Sequence, residues 1–141
     1  MTEIVLDTSV AIAWYLPETF SAQARGWQRR FLDGSVQPIV PSLHFWEFGN
    51  VLRTKVRRRE LSRDLAREIN EAHLDAPLVV SDPDRKAVLE TAFAYGSTVY
   101  DAVYIAIALE LDLKLVTAER STAAWVAKLG ERAATLGTAE A

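Results

Sequence analysis

Apolar residues recur along this chain at two periods, and the switching between them predicts its architecture. Glu3 to Asp7 is a short apolar run rich in β-branched residues that stops at Asp7-Thr8-Ser9, where a strand gives way to a helix-capping signal. Val10 to Leu16 predicts a short helix closed by Pro17. Phe20, Ala24, Trp27 and Phe31 repeat at helical spacing, which predicts an amphipathic helix ending near Asp33-Gly34, its aromatic stripe suited to core or to a partner surface. Val36 to Val40 predicts a second strand, ended by Pro41-Ser42, and Ser42 is placed to cap the long helix that carries Glu47.

Glu60-Leu61-Ser62 breaks that helix, and Ser62 caps another running to about His73, so the two predict a helical hairpin. Leu78-Val79-Val80 predicts a third strand. Asp82-Pro83-Asp84 then predicts a helix start with an Asp cap and Pro at the first position, and Gly96 ends that helix. Ser97 or Thr98 caps a helix from about Val99 to Leu111, apolar nearly all round as a buried helix is. Lys114 to Thr117 predicts a fourth strand, Ser121 to Leu129 a helix, and Ala133 to Leu136 a weak fifth strand. Strands alternating with helices predict an α/β fold with a parallel sheet covered on both faces. With no internal repeat, linker or low-complexity stretch, residues 1–141 read as one domain.

Composition agrees with a core of that kind, since 50% of the residues are hydrophobic. The absence of cysteine excludes disulfides, thiolate zinc sites and a thiol nucleophile, and fits a reducing cytoplasm. The start M-T-E-I-V-L-D lacks the basic and apolar segments of a signal peptide, and no apolar run reaches the roughly 18 residues of a membrane span. A cytoplasmic protein with no membrane partner is therefore expected. A net charge of −3 argues against a generally basic nucleic-acid coat, yet Arg53, Lys55, Arg57, Arg58 and Arg59 cluster in one short run. That run either contacts phosphates or is a solvated helix end whose cations complement the C-terminal dipole.

Four acids break the apolar pattern: Asp7, Glu47, Asp101 and Glu119 fall in stretches expected to be buried or half-buried. Ionised carboxylates there are costly unless paired or bound to a cation. Ligands of open parallel sheets gather beyond the carboxyl ends of the strands, where Asp7, Asp101 and Glu119 are expected, while helical phase turns Glu47 inward. Carboxylates a few ångströms apart repel by roughly 4 kcal/mol per pair at an effective dielectric near 20, a penalty that a shared divalent ion removes. Oxygen donors without cysteine point to magnesium or manganese, and hence to metal-dependent phosphodiester hydrolysis. Each acid also has a plainer reading: a cap for Asp7, a favourable helix N-terminus for Asp101, an exposed turn for Glu119. Thr8, Ser9 and Thr117 carry hydroxyls beside the acids, and Asn50 follows Glu47 by one helical turn, so these are candidates to orient the carboxylates. His44 reads as a satisfied core or edge histidine and His73 as surface.

The segments I-V-L-D-T-S, F-W-E-F-G-N-V-L with its basic run, Y-G-S-T-V-Y-D-A-V-Y-I-A-I-A and K-L-V-T-A-E-R follow in order along the chain. As a set they resemble the PIN-domain ribonucleases, most closely the VapC-type toxins of toxin–antitoxin pairs. The resemblance implies a three-layer α/β/α sandwich around a parallel sheet of four or five strands. It also implies Mg2+ or Mn2+ held by acids, endonucleolytic cleavage of RNA, a homodimer, and silencing by a cognate antitoxin. By motif, Asp7, Glu47 and Asp101 match the three main acids, and Thr8 and Thr117 the accompanying hydroxyls. Glu119 departs from the usual Asp, and its extra methylene favours contact with a metal through water. Flanking cations, Arg53 to Arg59, become candidates for RNA phosphate contact, and Trp14, Tyr15, Trp27 and Phe31 for core, an antitoxin groove or a dimer face. Two other readings compete: a phospho-receiver-like signalling module, and a catalytically weak PIN domain acting mainly as a binding partner. The first wants paired acids after the first strand and a lysine after the last, which this chain lacks.

Overall fold

The computed structural model of the chain describes residues 1–136. Five parallel strands, β1 (Thr2–Leu6), β2 (Val36–Val40), β3 (Val79–Val80), β4 (Leu115–Thr117) and β5 (Ala133–Thr135), lie in the order β3-β2-β1-β4-β5. The chain builds outward from β1 to β2 and β3, then returns to the other side of β1 for β4 and β5. That reversal opens a crevice at the carboxyl ends of β1 and β4, where a doubly wound sheet binds its ligands. Pro38 is tolerated in β2 because β3 is short: β3 pairs only with Ile39 and Val40.

Among the described residues seven α-helices cover the sheet: α1 (Thr8–Ala13), α2 (Ser21–Leu32), α3 (Leu43–Arg57), α4 (Arg63–Asp75), α5 (Arg85–Tyr95), α6 (Val99–Leu111) and α7 (Ala124–Leu129). Strand alternation sends Ile4 and Leu6 to one face of the sheet and Val5 to the other. Ile4 and Leu6 pack with Val10 of α1, Trp14 just after it, Phe48 of α3 and Ile69 of α4, whereas Val5 packs with Ile105, Trp125 and Leu129 from α6 and α7. The result is the expected three-layer α/β/α sandwich. No single described helix is long and apolar enough to cross a membrane.

Side-chain caps explain the starts of α4, α5 and α6. Ser62 accepts from the Leu65 amide, Thr98 from that of Asp101, and Gly96 closes α5 in the left-handed region at φ 65°. Two expected caps are corrected. Ser42 makes no side-chain cap; its amide and hydroxyl donate to the Asp82 carboxylate at 2.8 and 2.7 Å, tying α3 to the strand end after β3. With Asp82 so engaged, Asp84 caps α5 instead, accepting from the Lys86 amide. The aromatic stripe of α2 is core: Phe31 stacks on buried Trp14 at 5.8 Å, and the Trp14 indole donates to Ala24 O. Trp27 stays half-buried beneath the Arg30 guanidinium.

Candidate active site

β1 delivers Asp7 to the crevice as the cap residue of α1, yet its side chain makes no capping bond. Its carboxylate instead accepts from Thr117 Oγ1 at 2.7 Å and Ser9 Oγ at 3.2 Å. Both hydroxyls are in turn held by backbone: Thr117 accepts from the Glu119 amide at 3.0 Å and Ser9 from the Ala118 amide at 3.2 Å. Asp7, Ser9 and Thr117 therefore knit the tips of β1 and β4 into one polar unit.

Glu47 approaches from α3. Its Oε1 accepts from Tyr104 OH at 2.7 Å and from Thr8 Oγ1 at 3.1 Å. Asp101 is half-buried in the first turn of α6, its amide donating to Thr98 Oγ1. Tyr104 escaped the sequence reading, although its place one turn after Asp101 in V-Y-D-A-V-Y puts both on one face of α6.

Electrostatics join these acids more closely than their hydrogen bonds do. Burial raises the Asp7 carboxyl to about 6; Asp101 and Glu47 add to the rise, and the Thr117 and Ser9 hydroxyls oppose it. Burial also raises Glu47, with Asp101 adding to the effect and Tyr104 and Thr8 opposing it. Asp101 is raised by burial and by Glu119, against its Thr98 hydrogen bond. No cation relieves this. Among the described residues, the ion pairs are Lys55 with Glu18 and Glu60, Arg67 with Asp64, and Arg132 with Asp112, and none reaches the four acids.

Several expectations need correction. Glu119 is exposed rather than half-buried, because the turn after β4 is polar, and its Oε1 accepts the Arg120 amide at 3.2 Å. Asn50 is exposed and lines a groove of about 770 Å³ with Trp46, Arg53 and Leu74; no hydrogen bond joins it to Glu47 among the described residues. Lys55 is held by Glu18 and Glu60, while Arg53, Arg57, Arg58 and Arg59 stand exposed. His73 is fully buried, against the surface placement expected for it, and stacks on Phe48 at 4.1 Å. His44 is buried and hydrogen-bonded, as read.

Among the described residues, no three acids or histidines stand close enough to enclose a metal ion. The donor chemistry nevertheless suits a hard divalent cation: carboxylates and hydroxyls only, unpaired with any base, and raised by burial and by one another's charge. Asp7, Glu47 and Asp101 are the candidates to hold one, with exposed Glu119 beyond them.

Comparison with known proteins places this arrangement. Ribonuclease VapC3 of Pyrobaculum aerophilum is 32% identical over 125 residues, covering 86% of this chain and 92% of that protein. The crystal structure of PAE2754 from Pyrobaculum aerophilum superposes with a TM-score of 0.70 at 25% identity, across 97% of this chain and 82% of that one. A family model for the PIN domain matches residues 4–127, a span that includes Asp7, Glu47, Asp101 and Glu119. The chain belongs to the PIN-domain family.

Proposed function

We propose that this protein is a metal-dependent endoribonuclease and the toxin of a toxin–antitoxin pair. The observation that carries the reading is that burial and neighbouring carboxylates raise Asp7, Glu47 and Asp101 beside the carboxyl-end crevice, while no ion pair reaches them among the described residues. Membership of the PIN family and likeness to a protein named a ribonuclease select RNA as the substrate.

In this reading Asp7, Glu47 and Asp101 would hold Mg2+ or Mn2+, and exposed Glu119 would contribute from the rim through its longer side chain. A cation held there would offset the carboxylate repulsion and would supply Lewis-acid polarisation of the phosphodiester. The protein's own part is orientation. Thr117 and Ser9 fix Asp7, and Thr8 and Tyr104 fix Glu47 in its ionised form by giving it two hydroxyl hydrogens. Arg53, Arg57, Arg58 and Arg59 hold the RNA backbone, Arg57 lying roughly 15 Å along α3 from Glu47 at 1.5 Å per residue. Lys55, expected in the same role, is paired with Glu18 and Glu60, which favours the arginines over it for phosphate contact.

A homodimer uses the exposed Leu89, Phe93, Val99 and Tyr100 of α5 and α6. The cognate antitoxin covers the groove beside Trp46, because Trp14 and Phe31, two of the four aromatic candidates, are spent on packing. Action in the cytoplasm, where RNA and antitoxin meet, completes the reading. The test is incubation of the antitoxin-free protein with labelled RNA, with and without Mg2+ or Mn2+, beside Asp7→Asn and Asp101→Asn. Metal-dependent cleavage lost in both variants supports the reading. No cleavage by the wild type under any metal leaves the catalytically weak binding partner in its place.

A further inference from the structure

Behind the acids lies a buried polar chain of which the proposed chemistry uses only the Thr8 and Tyr104 end. Thr8, His44, His73 and Tyr104 are each no more than 5% exposed. Tyr104 OH lies 2.7 Å from Glu47 Oε1, Thr8 Oγ1 lies 3.1 Å from it, and the two hydroxyls are 2.7 Å apart. His44 Nδ1 sits behind both, 3.2 Å from Thr8 and 3.3 Å from Tyr104. His44 Nε2 then meets His73 Nε2 at 2.8 Å, and His73 Nδ1 meets the hydroxyl of half-buried Tyr15 at 3.1 Å.

Counting hydrogens gives this chain a direction. Burial pushes His44 down to about 3, with His73 adding to the effect, and pushes His73 down to about 4, so at neutral pH each ring is neutral and carries one N–H. Thr8 and Tyr104 own one hydroxyl hydrogen each. Both go to Glu47 Oε1, from Tyr104 at 2.7 Å and from Thr8 at 3.1 Å. His44 Nδ1 then has no hydrogen to accept and donates its own. Its bare Nε2 must accept from His73 Nε2–H, since two bare nitrogens at 2.8 Å would repel. His73 Nδ1 is bare in turn and accepts the Tyr15 hydrogen.

We propose that every hydrogen in the chain Tyr15, His73, His44, Thr8, Tyr104 points toward Glu47, and that His44 and His73 are positioning residues for its carboxylate. By presenting an N–H to His44 Nε2, His73 stops His44 from taking the tautomer whose bare Nδ1 would compete with Glu47 for a hydroxyl hydrogen. This deepens the nuclease reading, on which only its kinetic consequence rests.

The first test needs no activity. In 15N spectra of the metal-free full chain at neutral pH, His44 is expected as the Nδ1–H tautomer and His73 as the Nε2–H tautomer. In Glu47→Leu the hydroxyl hydrogens lose their acceptor, so His73, which does not touch Glu47, is expected to lose its single tautomer. His44 protonated on Nε2 in the wild type overturns the proposal. So does a His73 signal unmoved in a folded Glu47→Leu protein. In RNA cleavage, His73→Leu is expected to lower kcat by about tenfold with KM within about twofold, the scale of one hydrogen bond lost in the transition state. His73→Gln is expected to restore it, because an amide both donates to His44 and accepts from Tyr15. A kcat unchanged in His73→Leu, or lowered equally in both variants, overturns the positioning role. Should the wild type cleave no RNA, the nuclease reading falls, while the spectra still decide the direction of the chain.

Discussion

The Thr117 hydroxyl donates to Asp7 Oδ2 at 2.7 Å, joining residues 110 apart in sequence at the tips of two neighbouring strands. Thr117→Val keeps the β-branched shape and deletes the bond. Hydrogen bonds to charged groups contribute more than neutral ones, so the expected loss of stability is about 1–3 kcal/mol at pH 8 and less at pH 5. Urea unfolding at the two pH values measures it. An equal loss at both would show that the bond does not depend on an ionised Asp7.

Asp7 itself opposes folding at neutral pH in the absence of a cation. Its carboxyl is raised from 3.8 to about 6, so between those values the native state holds more protons than the unfolded chain. Stability therefore falls as pH rises through that window, by about 3 kcal/mol once the group is fully ionised. Asp7→Asn removes the charge while keeping an oxygen for Thr117 and Ser9. With chelator present, the variant is expected to be more stable than the wild type at pH 8 by about 1–2 kcal/mol, the gain closing below about pH 4. Thermal unfolding at pH 4 and 8 checks both the size and the sign.

Tyr104→Phe removes a buried hydroxyl that Glu47 and Thr8 share. Leaving these partners short of one bond is expected to cost about 1–3 kcal/mol in stability and about tenfold in the cleavage rate. Denaturant unfolding and single-turnover kinetics separate the two effects.

The basic run is divided by the structure. Exposed Arg57 and Arg58 are expected to contact phosphate, so each Arg→Ala change raises KM and flattens the log–log salt dependence by about 0.7. Lys55 is occupied by Glu18 and Glu60, and Lys55→Ala is expected to leave the salt dependence unchanged. Binding of a short labelled RNA across a salt series makes the comparison.

Periodicity carried most of the fold, because each strand and helix is a local pattern: β2 runs from Val36 to Val40 as read, and the Gly96, Ser62 and Thr98 signals mark real helix ends. Asp82 and Asp84 show the limit. Both look like caps in sequence, and only the long-range partner Ser42 decides between them. The acids were legible as apolar-pattern breaks, and motif order tied three of them together. Glu119 was not, since a rim position and a polar turn have the same local composition. His73 stands on an otherwise amphipathic helix, and nothing near it in sequence reveals that His44, 29 residues earlier, buries it. Hydroxyl partners such as Thr8 for Glu47 are likewise set by strand order.

The most direct measurement is the single-turnover cleavage rate of an end-labelled RNA as Mg2+ or Mn2+ is returned to chelator-stripped protein. Our account predicts a rate that rises from zero and saturates in the wild type, and no rise in Asp101→Asn. Cleavage that persists in chelator, or that survives Asp101→Asn, contradicts it.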